Sequence, residues 1–272
     1  MPPQPPSVRK LALTIDGKTI PLLGASGGHI KATVSTTFSG TGGAPKRQIS
    51  SYGYADLRIE FGIAMGAAIR DWINAFLGGM QTAKSGTVLE LDQNNRVKAF
   101  HDFTGARITE LIVPQCDASS TAAGKFTLIA AVSKVVPRAG DGSLVTFGPD
   151  ATKPWLPANF RITIPGVPTT HVSIIDTFSF RRQSNSTVPG DLVTTVSELD
   201  VKQWQAWIDD FVIAGHNAQS NEKSGAIEWL APNFSTVLGK LTLNQIGIFE
   251  LARAETSGYR ASLYFETSQL VQ

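Results

Sequence analysis

Cysteine is almost absent from this chain. Cys116 is the only one, so an intrachain disulfide and a thiolate metal cluster are both excluded. That usage points to a reducing compartment, or to a protein assembled in one. Charge of one sign is also lacking. The 24 Lys and Arg stand against 22 Asp and Glu, a net of +2, and no basic stretch exceeds a pair such as Lys46-Arg47 or Arg181-Arg182. Such a balance gives no electrostatic footprint for nucleic acid. Long apolar runs are missing as well: no window reaches the ~18 residues a membrane span needs. Met1 to Ser7 holds four prolines and no apolar core. It is expected to be an extended arm rather than a signal peptide.

The sequence does hold a repeat. The stretch Ala55-Asp56-Leu57 through Trp72-Ile73-Asn74-Ala75-Phe76 aligns without a gap to Gly190-Asp191-Leu192 through Trp207-Ile208-Asp209-Asp210-Phe211. Asp56 and Asp191, like Trp72 and Trp207, lie 135 positions apart. Downstream, Lys84-Ser85-Gly86 matches Lys223-Ser224-Gly225, and Thr87 to Leu91 matches Ala226 to Leu230. The neighbourhood of Gly105 to Ile108 resembles that of Gly239 to Leu243. Upstream, His29 to Ser39 resembles His171 to Ser179, and Thr14 to Gly17 resembles Thr163 to Gly166. A length of 272 residues suits two domains. The reading is a first domain over 1–136 with the arm, a Pro- and Gly-rich linker over 137–158, and a second domain over 159–272.

Each copy reads as mainly β, a sandwich or barrel with one flanking helix. Leu11, Leu13 and Ile15 alternate ahead of the turn signal Asp16-Gly17. A second strand is expected over Ile30 to Phe38, then a Gly-rich loop from Ser39 to Ser51. Ile69, Trp72, Ile73 and Phe76 form one face of a helix over about Ala64 to Gly78. Trp204, Trp207, Ile208 and Phe211 repeat that stripe in a helix from Val201, with Asp200 at its N-cap. The tryptophans are read as core. Trp155, inside the linker, is expected to be pinned against a domain.

Candidate chemistry fails on context. Gly24-Ala25-Ser26-Gly27-Gly28 spells a nucleophile elbow, but a strand follows it where the elbow needs a helix. His29, His101, His171 and His216 show no metal-ligand spacing. Asp92-Gln93-Asn94-Asn95 opens like a calcium loop yet lacks its glycine and terminal glutamate, so a turn is expected. No catalytic, cofactor or metal residue is assigned, and the chain is not expected to be an enzyme.

Strand, long loop, strand, Asp-Leu with a Trp-bearing helix, then Lys-Ser-Gly and an antiparallel run: this order, present twice, resembles the contractile phage tail tube family and the related type VI secretion tube protein. The resemblance covers both copies. It implies a small β-barrel with a flanking helix, assembled into six-domain rings that stack as a hollow tube. It implies homo-oligomerisation, with tube, sheath, hub or spike proteins as partners and DNA or effector cargo passing through the lumen. It further implies a place in a virion tail or injection-machine particle assembled in the bacterial cytoplasm, without a membrane partner. Family subunits usually carry one domain. Two in one chain suit three chains posing as a hexamer, in the tube or at its junction with the baseplate hub, or else a doubled tube subunit. The loop over Ser39 to Ser51 falls where the family places the hairpin that reaches the adjacent ring, and its counterpart Arg181 to Pro189 is shorter. The alternative is a tandem carbohydrate-binding β-sandwich, with Tyr52, Tyr54 and Trp155 as the aromatic platform.

Overall fold

A computed structural model describes residues 9–38, 43–147, 155–255 and 257–271. The N-terminal arm, the centre of the linker and the tip of the long loop therefore lie outside the described residues. The chain divides into two compact units. The first comprises Met1–Ile59, Ala83–Arg107 and Ile129–Phe147; the second comprises Glu60–Thr82, Ile108–Leu128 and Gly148–Gln272. As the alternation and turns predict, the fold is mainly β, with two α-helices among the described residues.

The first unit is built on β1 (Lys10–Ile15), β2 (Lys18–Leu22), β3 (Gly24–Ser26), a hairpin of β4 (Ile30–Phe38) and β5 (Pro45–Tyr54), and the start of β6 (Leu57–Phe61). It continues with β7 (Lys84–Leu91), the first part of β8 (Val97–Val113), and, after β9 (Cys116–Asp117) of the second unit, part of β10 (Phe126–Ala131) and all of β11 (Lys134–Ala139). Asp16 and Gly17 both take positive φ, 48° and 72°. That is the backbone of a two-residue turn matching strand twist, and it closes β1 onto β2 with Ile15 opposite Lys18. The sheet order is β2-β1-β7-β8-β10-β6-β3, with β11 on β8. Its two edge strands, β2 and β3, are joined by Leu23 alone. One linking residue spans only about 7 Å, so the sheet must curl until its edges nearly meet.

Part of the segment expected as a linker is ordered. Pro137 pairs with His101 in the sheet, and Val145 and Phe147 pack over Ala12, Leu89, Leu91 and Val97. The loop expected to run to Ser51 gives way to strand at Pro45. Gln48, Ile49, Tyr52 and Tyr54 supply enough strand-forming character there to answer β4 along its whole length.

The second unit holds α1 (Gly66–Leu77) and then β12 (Phe160–Thr163), β13 (Ile174–Ile175), β14 (Phe178–Gln183), β15 (Ser186–Pro189), β16 (Leu192–Val196) and α2 (Val201–Ile208). It ends with β17 (Lys223–Leu230), β18 (Val237–Arg253), β19 (Tyr259–Tyr264) and β20 (Thr267–Val271). Its sheet runs β12-β17-β18-β19-β16-β13-β9, with β20 on β18. The stripe Ile69, Trp72, Ile73 and Phe76 is buried, as its spacing requires. In α2, Trp204 and Trp207 are buried, while Ile208 is only half-buried. The helix then widens into a π-turn over Asp209–Ile213 that carries the buried Phe211. Asp200 does precede α2, but its carboxylate makes no cap. It meets His171 Nδ1 at 3.0 Å instead.

Trp155 is 3% exposed. It stacks on Phe126 and meets Trp229 edge-on, at centroid distances of 5.6 and 5.9 Å. Gly124 makes room for it, since a Cβ there would collide with the indole. Trp229 Nε1 in turn donates to Cys116 Sγ at 3.3 Å, and burial pushes that thiol up to about 12.

Candidate assembly surface

Strand register fixes which residues of the two copies correspond. In the first, Ile15 faces Gly86 and Val88 faces His101; in the second, Gly225 faces Leu243 and Ile227 faces Leu241. The shared Lys-Ser-Gly motif has a plain cause. A Cβ on Gly86 would run into the carbonyl oxygen of Thr14, and one on Gly225 into that of Thr163. Both glycines let the first strand of their copy approach closely.

The same logic aligns the hairpins. Ile30 faces Tyr54 and Phe180 faces Pro189, so Ile30 corresponds to Phe180 and Lys31 to Arg181. His29 then corresponds to Ser179 rather than to His171. Both segments open on a histidine and run into Thr-Phe-Ser, and a slip of eight to ten residues, being even, keeps each side chain on the same face.

Within the second unit, elements of the two copies join directly. β14 adds to the end of β8, with Phe178 opposite Val113 and Arg181 opposite Glu110. Arg181 Nε reaches Glu110 Oε1 at 2.8 Å. β13 pairs with β9. The β14–β15 hairpin also holds the end of α1. Thr187 Oγ1 donates to the Phe76 carbonyl at 2.6 Å, and Arg182 Nη1 to the Gly79 carbonyl at 2.7 Å. The Phe76 carbonyl also accepts from Gly79 N–H at 2.9 Å, so the hairpin adds to the turn that ends α1. On the side of α1, Asn74 donates to the Leu270 carbonyl and accepts from its N–H, at 2.9 and 2.8 Å. This is a head-to-tail join: one copy offers a strand edge and a helix end, and the other offers a hairpin.

The longer β4–β5 hairpin is exposed along its length. Register puts Ile30, Ala32, Val34 and Phe38 on one face with Tyr54, Tyr52 and Ile49. A bulge between Thr33 and Val34 leaves Ser50 unpaired and keeps Ile49 on that face. Phe38, Ile49 and Tyr52 are each more than 70% exposed. Lys31, Lys46 and Arg47 are its only charged residues.

The residues whose spelling suggested chemistry meet only in part. Ser26 and His29 line a cavity of about 450 Å³ in the first unit, with Leu57, Phe103, Glu90 and His101. His101 Nε2 lies 3.1 Å from Glu90 Oε1, and among the described residues no hydrogen bond joins Ser26 to a histidine. β3 leads through Gly27 and Gly28, both at positive φ, into strand β4, so the elbow's helix is absent from this turn. Asp92 Oδ1 accepts from the N–H groups of Asn94 and Arg96 and forms a turn. His216 pairs with Asp210 at 2.7 Å. No group of three His, Cys, Asp or Glu side chains suited to a metal occurs among the described residues. Trp155 is buried and offers no sugar platform; Tyr52 and Tyr54 remain on the hairpin face. The head-to-tail join carries no local sequence signal.

Neither a protein-family model nor a curated protein matches the chain. Among solved structures, it is similar to the tube-terminating cap of the anti-feeding prophage, at 20% identity and a TM-score of 0.41, over 51% of this chain and 95% of the other. A sheath/tube terminator of the extracellular contractile injection system PVC gives 17% identity and a TM-score of 0.42, over 51% and 100%. Hcp1 from Flavobacterium johnsoniae gives 17% and 0.34, over 49% and 96%. No helix among the described residues is long and apolar enough to cross a membrane.

Proposed function

We propose that this chain is a structural subunit of a phage tail or a phage-derived contractile injection system. Its two copies take two of the six places in a ring, so that three chains close a pseudo-hexamer. The observation that carries this reading is the join between copies, where β14 extends the edge of β8 and its hairpin holds the end of α1. A contact of one surface with a different surface is heterologous, and repeated by a rotation that closes it gives a ring. Ring closure also covers strand edges that would otherwise invite aggregation. The resemblance of both copies to the tail tube family supports the same reading.

The two faces of such a ring would differ, because β4–β5 is much longer than β14–β15. That asymmetry suits a position where the tube meets another component, such as the baseplate hub. The chain's work is then assembly rather than catalysis. Native mass spectrometry with negative-stain imaging of the purified protein tests this. Rings of three chains are the expected result. Long tubes would move the chain into the tube proper, and a strict monomer at high concentration, with and without tube partners, would end the proposal.

A further inference from the structure

The join inside the chain uses one set of surfaces from each copy and leaves the complementary set unused. In the first copy, the end of β8 is covered by β14, and Leu111 and Val113 are buried. In the second, the corresponding stretch of β18 shares the pattern Ile-x-Glu-Leu, Ile248 to Leu251 against Ile108 to Leu111. There Phe249, Glu250, Ala252 and Arg253 are exposed, and among the described residues only β19 pairs with them. The helix ends differ in the same sense. Phe76 and Gly79 accept from the β14–β15 hairpin, whereas Val212 and Ile213 at the end of the second helix lie exposed. The β4–β5 hairpin, finally, bears the apolar face that corresponds to the side of β14–β15 holding α1.

We infer that His29 to Lys31, at the start of β4, of a second copy of this chain add to the free edge of β18 at Glu250 to Ala252, and that the base of its hairpin covers the end of α2. The inference rests on the ring reading above and gives that ring its second interface. Register makes it specific. Arg181 faces Glu110 inside the chain, so Lys31 of one copy faces Glu250 of the next, with the charges conserved. Ser262 donates to Glu250 at 2.9 Å, but no cation meets this carboxylate within the chain among the described residues. Tyr52 corresponds to Thr187, and it meets the end of α2 where Thr187 meets that of α1. The contact is β-augmentation with main-chain hydrogen bonds, registered by one ion pair and sealed by apolar side chains. It assigns the base of the hairpin to a lateral neighbour and leaves its distal half for a partner along the axis.

Paired cysteines test it. Residues directly opposite in an antiparallel ladder have Cα atoms about 4.5 to 5.5 Å apart, within the reach of a disulfide. Lys31→Cys combined with Glu250→Cys should form bonds between chains on mild oxidation, in a ladder that stops at three. Both positions are exposed, so the variant should fold. Arg181→Cys with Glu110→Cys should bond within one chain and serves as the geometric control. Lys31→Glu should weaken association roughly five- to tenfold, and adding Glu250→Lys should restore it. Rings without interchain bonds and without charge-swap rescue would overturn this contact and leave the ring standing. A bond formed within one chain would also overturn it. A control that bonds in a protein that never associates would remove the ring and the contact together.

Discussion

Glu90 and Trp229 hold the same register position in the two copies and do opposite things. Glu90 sits opposite Leu11 on the edge of the 450 Å³ cavity, paired with His101 and with Arg9. Trp229 sits opposite Phe160, fully buried, with Phe126 and Trp155 against its ring. The neighbours follow suit. His101 and Pro137 of the first copy correspond to Leu241 and Leu270 of the second, both buried. One backbone ladder therefore carries an aromatic core in one copy and a half-polar cavity in the other. The ladder permits this because its hydrogen bonds are main-chain and indifferent to what the side chains fill. The first copy can spare this face because its sheet also buries Ala12, Leu89, Leu91 and Val97 on the opposite one.

The position that distinguishes the copies should also show the largest difference in stability. Trp229→Ala should cost about 3–5 kcal/mol, as removal of a fully buried aromatic does. Glu90→Ala should cost less than about 1 kcal/mol, since its partners are near the surface. Urea unfolding of the two variants checks this, and equal losses would mean the cavity face is as vital as the aromatic one.

Where the copies agree, the cost should agree too. Gly86→Ala and Gly225→Ala should each lose about 1–3 kcal/mol, because each forces a backbone apart. A large loss at one and none at the other would show that the motif serves the copies differently.

One acid-sensitive pair of the first copy has no counterpart at the same places in the second. The Arg138 guanidinium beside Asp102 holds its carboxyl below the usual range, with Thr87 helping. The second copy has Thr242 and Val271 at these places. Because the folded pKa lies below the unfolded one, the pair adds stability above the unfolded value and loses it as pH falls through the folded value. Arg138→Met should therefore lower the melting temperature slightly at neutral pH, with the difference fading in acid and in high salt. A difference that grew in acid would contradict this assignment.

The smallest effect concerns Cys116, whose thiol burial pushes up to about 12. A thiol reagent at pH 8 should label it only as fast as the protein opens. Trp229→Ala, by removing the indole that donates to its sulfur, should speed labelling. Labelling at the same rate in both proteins would detach the cysteine from the aromatic cluster.

Much of this is legible in the residues. The i, i+3, i+4, i+7 stripes place both helices, and the constant offset of 135 exposes the repeat, because burial on one helix face fixes apolar spacing. Asp16-Gly17 announces its turn. The β4–β5 pairing is less visible, since Gly, Pro, Lys and Ser around its tip look like loop, and a hairpin without a covered face shows little contrast. Asp200 has the position of a cap, but His171, 29 residues away, takes its carboxylate. The cavity leaves no trace either: glutamate in an alternating strand looks like an outward position, and only its neighbours decide what it faces.

The order of residues alone dictates the elements, the duplication and the glycines of its close approaches, because these are enforced locally by periodicity and by the space a Cβ needs. Which strand edges meet and which stay open is settled only by three-dimensional packing. β14 finds β8 across some seventy residues through main-chain groups that every residue carries, so no side-chain pattern announces the pairing. The same holds for the free edge of β18, whose openness only the assembled ladder reveals.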